Sequence, residues 1–101
     1  MTNNQKAKLD VLVNFLTEKK IHFFTTFKGK TPVKADIYVP KFRIMVKVSE
    51  GKEKDDIFYN NVKYHFHPLF IREIETKEFV LEKMQNLIID LMKKQHIKYN
   101  K

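Results

Sequence analysis

The chain has 101 residues, 43% of them hydrophobic and 13% aromatic, which predicts a single folded domain over residues 1–101. It contains no cysteine, which excludes disulfides and thiolate chemistry, and its two glycines argue against a glycine-rich nucleotide-binding loop. The net charge is +8, and residues 1–54 carry twelve basic against five acidic side chains. Such an excess favours a polyanionic partner, although a Lys-rich protein can also simply have a solvated basic surface.

The first part of the chain predicts a helix and then a strand. Residues 4–20 have a helical apolar period, and an oxygen-bearing side chain at residues 2–4 can cap the start. The inward side chains of this helix are Leu9, Leu12, Val13 and Leu16. Residues 21–27 are β-branched and aromatic, which indicates a strand, and residues 28–32 have the composition of a turn.

Two alternating strands follow, over residues 33–39 and 42–49. A tight turn at Pro40-Lys41 would pair Val39 with Phe42 and Asp36 with Met45, which places both apolar rows on one side of the sheet. Proline is not typical of the tightest hairpin turns, so a wider loop is the alternative. The opposite face would carry Lys34, Asp36, Tyr38, Arg43, Met45, Lys47 and Ser49.

The second half predicts a helix over residues 55–66 that Pro68 ends, and a strand over residues 69–74. Because a helix separates this strand from the preceding one, we expect the two to be parallel. Thr76 caps a last helix that runs to about Gln95. The order αβββαβα predicts a small α/β (α+β) domain with a mixed four-stranded sheet flanked by helices.

This layout resembles a known family of nucleases. The run from Ala35 to Pro40 (ADIYVP), then a basic-apolar strand, Gly51, a helix, a strand and a closing helix resemble the very-short-patch-repair-like branch of the PD-(D/E)xK endonucleases. The resemblance covers about residues 6–94. It implies a restriction-endonuclease-like fold in which carboxylates on adjacent strands hold Mg²⁺, and the metal activates water against a phosphodiester.

The family's catalytic residues carry over only in part. The resemblance places Asp36 at the first metal-binding aspartate, but Lys47 stands where the second acid is expected. Counted by the hairpin register instead, Lys47 takes the lysine position of (D/E)xK and Met45 replaces the acid. Glu50-Gly51-Lys52 also spells ExK, so a working Mg²⁺ site made of Asp36, Glu50 and Lys52 is the alternative.

A cluster of cations is the candidate nucleic-acid interface. Eight Lys and Arg residues fall between Lys28 and Lys54. Lysine contacts phosphates without reading sequence, and a tyrosine ring can stack on a base. The predicted binding residues are Lys28, Lys30, Lys34, Tyr38, Lys41, Arg43 and Lys47.

Three functions are therefore open. We expect a nucleic-acid-binding domain of the endonuclease-like fold, DNA being favoured, with an impaired metal site and no cofactor. The alternatives are an active Mg²⁺-dependent endonuclease that uses Asp36, Glu50 and Lys52, and a non-catalytic protein-interaction module that could form a homodimer. The first residues lack a signal-peptide pattern and no long uncharged run is present, so we also expect a cytoplasmic protein without membrane contact.

Overall fold

The computed structural model describes the backbone of residues 2–27 and 34–99, with the side chains of residues 2–25 and 34–94. The elements follow the predicted order: α1 (Asn3–Glu18), β1 (Phe24–Phe27), β2 (Ala35–Val39), β3 (Ile44–Val48), α2 (Lys52–Val62), β4 (His67–Ile71) and α3 (Lys77–Tyr99). The predicted turn at residues 28–32 lies outside the described residues. In the part that is described, no helix combines the length and the apolar character needed to cross a lipid bilayer.

The four strands form one mixed sheet in the order β1-β2-β3-β4. β2 is antiparallel to both β1 and β3, as expected of strands joined by short connections. β4 is parallel to β3, and α2 makes the connection between them. The predicted class, a small α+β domain with a mixed four-stranded sheet, is confirmed.

The register of the β2–β3 hairpin differs from the prediction by two residues. The observed pairs are Ile37–Val46, Tyr38–Met45 and Val39–Ile44. The predicted pairs Val39–Phe42 and Asp36–Met45 are therefore wrong. A shift of two residues keeps every side chain on its predicted face, so the apolar rows still lie on one side.

The wider hairpin loop explains the shift. The loop contains Pro40–Arg43, where the Arg43 N–H donates to the Pro40 carbonyl at 3.2 Å. Arg43 has φ 56°, a left-handed conformation that closes the turn. The fixed φ of proline does not suit the first position of a two-residue hairpin turn, so the chain uses four residues before pairing begins.

Helices cover both faces of the sheet. On one face, α1 and α3 pack against β2, β3 and β4 around a core with these buried members: Leu12, Leu16, Ile37, Val39, Phe42, Ile44, Val46, Val48, Leu69, Ile71, Val80, Met84, Ile88 and Leu91. On the other face, α2 packs through a smaller cluster of Ala35, Met45, Phe58 and Val62. The helix α2 therefore lies over the face that was predicted to carry the cations.

The boundaries of α2 and β4 correct the prediction. α2 occupies Lys52–Val62 instead of residues 55–66, and β4 occupies His67–Ile71 instead of residues 69–74. Pro68 does not end the helix but lies inside β4. Because β4 is an edge strand, one side of its backbone has no partner strand, and a proline is tolerated there.

Both predicted helix caps are present. Thr2 and Gln5 form a capping box, in which each side chain accepts a hydrogen bond from the other residue's backbone N–H. Thr76 Oγ1 accepts from the backbone N–H of Phe79 at 3.1 Å. These caps satisfy N–H groups that the first turn of a helix leaves unpaired.

Candidate functional site

Asp36 has a structural partner. Its Oδ2 accepts a hydrogen bond from the backbone N–H of Val48 at 2.8 Å, just beyond the last paired residues, Ile37 and Val46. The side chain thus continues the β2–β3 connection past the end of the regular ladder. One oxygen of the expected metal ligand is already committed to the backbone.

Asp36 shares a small cavity with a second acid and a lysine. The Asp36 cavity measures about 90 Å³ and is lined by Gln5, Asp36, Lys47, Val48, Ser49 and Glu50. Lys47 Nζ lies 3.4 Å from Glu50 Oε2, and the two side chains are 14% and 50% exposed. The structure therefore brings Asp36, Lys47 and Glu50 together around one cavity.

Lys52 does not line the Asp36 cavity. It lines a separate cavity of about 420 Å³ between α2 and β4, together with Ser49, Asp55, Asp56, Tyr59, Phe70 and Arg72. The two outer residues of the Glu50-Gly51-Lys52 motif therefore face different cavities. Lys47, and not Lys52, is the lysine that accompanies Asp36 and Glu50.

The Asp36 cavity does not fit a Mg²⁺ site. Magnesium requires oxygen ligands at near-octahedral geometry. Lys47 pairs with Glu50 and the Val48 N–H binds Asp36, so each carboxylate already has a positive or hydrogen-bonding partner. No group of three or more His, Cys, Asp and Glu side chains within residues 2–25 and 34–94 could hold a metal ion. The ammonium of Lys47 supplies the positive charge that a metal would bring.

A larger cavity that Lys47 and Glu50 also line gathers cations. The lysine cavity measures about 340 Å³ and is lined by Lys34, Lys47, Glu50, Lys54, Ile57 and Phe58. It lies against α2, where β2 begins and β3 ends. Lys34 and Lys54 are exposed, and Glu50, the one acid among the described lining residues, is paired with Lys47. Three ammonium groups thus surround a concave surface with an apolar wall.

The other predicted binding residues lie at the opposite end of the hairpin. The Tyr38 ring contacts Phe66 edge-on at 5.7 Å between centroids, and the Arg43 guanidinium lies 5.4 Å from the centre of the same ring. Lys41 Nζ lies 5.6 Å from the centre of the Phe42 ring. At roughly 3.3 Å per strand residue, Tyr38 is about 13 Å from Lys34 along β2.

Helix α2 separates these two groups. Met45, 1% exposed, is covered by Phe58 and Val62 in the middle of the face. Of the predicted cations, Lys34 and Lys47 line the lysine cavity, whereas Arg43 lies against Phe66 and Lys41 against Phe42 at the hairpin loop. Lys28 and Lys30 lie outside the described residues.

His67 begins β4 at the same end of the sheet as the hairpin loop, paired with Ile44. Burial lowers the pKa of its imidazole below the ordinary value of 6.5, and the positive charges of Lys94 and Arg43 lower it further. The backbone N–H of His67 also donates a hydrogen bond to the backbone carbonyl of Arg43 at 2.8 Å. This end of the sheet is therefore electropositive even without a protonated histidine.

Sequence reasoning missed a buried carboxylate that shapes the site. Asp55 is 7% exposed, its Oδ1 accepts from the Glu50 N–H at 3.1 Å, and its Oδ2 accepts from the Ser49 hydroxyl. Asp55 thereby holds the β3–α2 loop and positions Glu50. The available signal was an acid in the first turn of a helix that follows Gly51, where the helix dipole favours negative charge.

A buried lysine was also missed. Lys8 is 1% exposed, and its Nζ donates to the carbonyls of Arg72 at 2.9 Å and Glu73 at 2.8 Å. Its position four residues before Leu12 and eight before Leu16 places it on the buried stripe of α1. Lys8 links α1 to the β4–α3 loop and lines neither the Asp36 cavity nor the lysine cavity.

Comparison with known proteins adds no family. No protein-family model, no curated protein and no solved structure matches this chain. The resemblance to the PD-(D/E)xK endonucleases therefore stays a prediction that rests on the residues from Ala35 to Pro40 and on the order of elements.

Proposed function

We propose that this chain is a nucleic-acid-binding domain, with DNA as the favoured ligand, built on an endonuclease-like framework whose metal site is impaired. The observation that carries the proposal is the lysine cavity, where Lys34, Lys47 and Lys54 face one concave surface. Phosphate oxygens are the natural partners of such a set of ammonium groups.

The electrostatics of the lysine cavity support a polyanionic ligand. Among the residues whose side chains are described, the ion pairs are Lys47–Glu50 and Lys83–Glu75, so Lys34 and Lys54 have no carboxylate within 4.0 Å. A ligand phosphate can therefore pair with them without breaking an internal ion pair. Each such contact also releases counterions from the nucleic acid, which favours binding at low salt.

Lys47 supports the view that the metal site is impaired. Lys47 lies near the end of β3, at the position where the family's second acid is expected, and its ammonium is 3.4 Å from Glu50 Oε2. A cation at this point repels a divalent metal and attracts phosphate. We therefore assign Lys47 to ligand binding and not to catalysis.

One observation favours the active endonuclease as a second candidate. Asp36 and Glu50, two of its three expected residues, line the same cavity of about 90 Å³. The test is incubation of plasmid DNA with the purified protein and Mg²⁺ or Mn²⁺, with Asp36→Ala, checked for folding by thermal unfolding, as the control. Our proposal predicts no cleavage by either protein, whereas cleavage that a folded Asp36→Ala protein lacks would establish the nuclease.

The binding test uses fluorescence anisotropy with labelled DNA at low salt. The double variant Lys34→Gln/Lys54→Gln removes the two exposed lysines of the cavity. The control, Lys77→Gln/Lys93→Gln, removes the same charge from exposed positions on α3, which packs on the other face of the sheet. We expect the cavity variant to bind about tenfold more weakly, and the control to change affinity by less than about threefold. Equal losses would mean that the lysine cavity is not the site.

A further inference from the structure

We infer that the lysine cavity receives a nucleotide of single-stranded DNA, with its base against Ile57 and its phosphates on Lys34 and Lys54. This inference rests on the proposed function and names the form of nucleic acid that is bound. It follows from the shape and lining of the cavity.

The concave shape favours an unpaired nucleotide. The cavity is open to solvent, and its volume of about 340 Å³ lies at the lower end of the roughly 300–1,000 Å³ found for small-molecule sites. A duplex keeps its bases stacked inside and presents a convex backbone, so it can offer such a cavity only phosphates. A single strand can turn a base into it.

The apolar wall is the second argument. Ile57 is 52% exposed beside three lysines, and the neighbouring Phe58, 1% exposed, also lines the cavity. A surface that binds phosphates alone gains nothing from an exposed isoleucine. The face of a nucleobase, in contrast, removes apolar surface from water when it packs against such a side chain.

The polar rim fits the edge of a base. The Glu50 carboxylate is 50% exposed at the boundary between the two cavities that it lines. Carboxylates accept hydrogen bonds from the exocyclic amine of cytosine and repel phosphate. The base edge is therefore expected near Glu50, and the backbone near Lys34 and Lys54.

The test compares the binding of a labelled oligo(dC) strand and of a hairpin duplex to three variants. Ile57→Ser removes the apolar wall, and Ile57→Leu preserves it. Ile74→Ser is the control, because Ile74 is 92% exposed in the β4–α3 loop and lines neither the lysine cavity nor the Asp36 cavity. Thermal unfolding checks that each variant is folded.

We expect wild type to bind the single strand more tightly than the duplex. Ile57→Ser should weaken single-strand binding by about fivefold or more and change duplex binding by less than about twofold. Ile57→Leu should lose less single-strand affinity than Ile57→Ser, and Ile74→Ser should bind as wild type does. A preference for the duplex, or a single-strand affinity that Ile57→Ser leaves unchanged, would overturn this inference. If this inference fails but the duplex still binds and Lys34→Gln/Lys54→Gln weakens that binding, the proposed function stands. Absence of binding to both the single strand and the duplex would refute the proposed function.

Discussion

The carboxylate of Asp36 accepts a hydrogen bond from the backbone N–H of Val48 at 2.8 Å. The residue that the family resemblance places at a metal therefore joins the end of β3 to β2. Lys47 completes this arrangement, because its ammonium pairs with Glu50 across the same cavity. Asp36 thus contributes to the fold whether or not a ligand is bound.

Replacement of Asp36 should destabilise the domain. We predict that Asp36→Ala lowers the free energy of unfolding by about 1–3 kcal/mol, because it leaves the backbone N–H of the buried Val48 without its charged acceptor. Asp36→Asn should cost less, since an amide oxygen still accepts. Urea denaturation measures both. Glu50→Ala is the control, with an expected loss below about 1 kcal/mol because the Glu50 side chain is half-exposed. A loss for Asp36→Ala no larger than for this control would contradict the structural role.

The order and the faces of the strands could be predicted from the sequence, because alternation along β2 and β3 depends on local patterns. Ile37, Val39, Ile44 and Val46 occupy alternate positions along their strands and are all buried on one side. The register could not be predicted, because it depends on the number of residues that the Pro40 loop needs. The start of α2 likewise depends on Asp55 contacts with Ser49 and Glu50.

The candidate site was predictable only in its residue types. The sequence indicates that Lys34 and Lys47 share a face, but the cavity arises because α2 packs over Met45 and brings Lys54 and Ile57 to them. That packing is tertiary and leaves no short sequence pattern. Lys8 was missed for a related reason, since a lysine on an apolar stripe is buried only when carbonyls distant in the sequence accept hydrogen bonds from its ammonium group.

The buried carboxylate of Asp55 offers a second stability prediction. Asp55→Ala should lower the free energy of unfolding by about 1–3 kcal/mol, because the Glu50 N–H and the Ser49 hydroxyl lose their acceptor. Its neighbour Asp56 is exposed, and Asp56→Ala should change stability by at most about 0.5 kcal/mol. Chemical denaturation of the pair provides the comparison. Equal effects at the two positions would show that Asp55 does not hold the loop.

Lys8 is expected to be the most sensitive lysine for stability. Lys8→Ala removes a fully buried side chain and the donor for two backbone carbonyls, so we predict a loss of about 2–4 kcal/mol. Lys6→Ala, at an exposed position on the same helix, should stay within about 0.5 kcal/mol of wild type. Thermal and urea unfolding measure both variants. A Lys8→Ala protein as stable as Lys6→Ala would be incompatible with the packing of α1 described above.

His67 gives a prediction about pH. Its pKa lies below 6.5 in the folded protein because of burial and of the charges on Lys94 and Arg43. The unfolded chain therefore binds this proton more readily, and His67 should reduce stability as the pH falls below 6.5. An NMR titration of the imidazole measures the pKa directly. Lys94→Gln should raise it toward the ordinary value, and a folded-state pKa above 6.5 would disprove this reading.

The most direct test of nucleic-acid binding is the salt dependence of affinity for single-stranded DNA. For wild type we predict that log K falls linearly with log salt concentration. Each phosphate contact contributes roughly 0.7 to the slope, so Lys34→Gln/Lys54→Gln should flatten it by about 1.4. The control Lys77→Gln/Lys93→Gln should keep the wild-type slope, although it loses the same charge. Identical slopes in all three proteins, or no binding at the lowest salt, would contradict a phosphate-binding lysine cavity and favour the protein-interaction module.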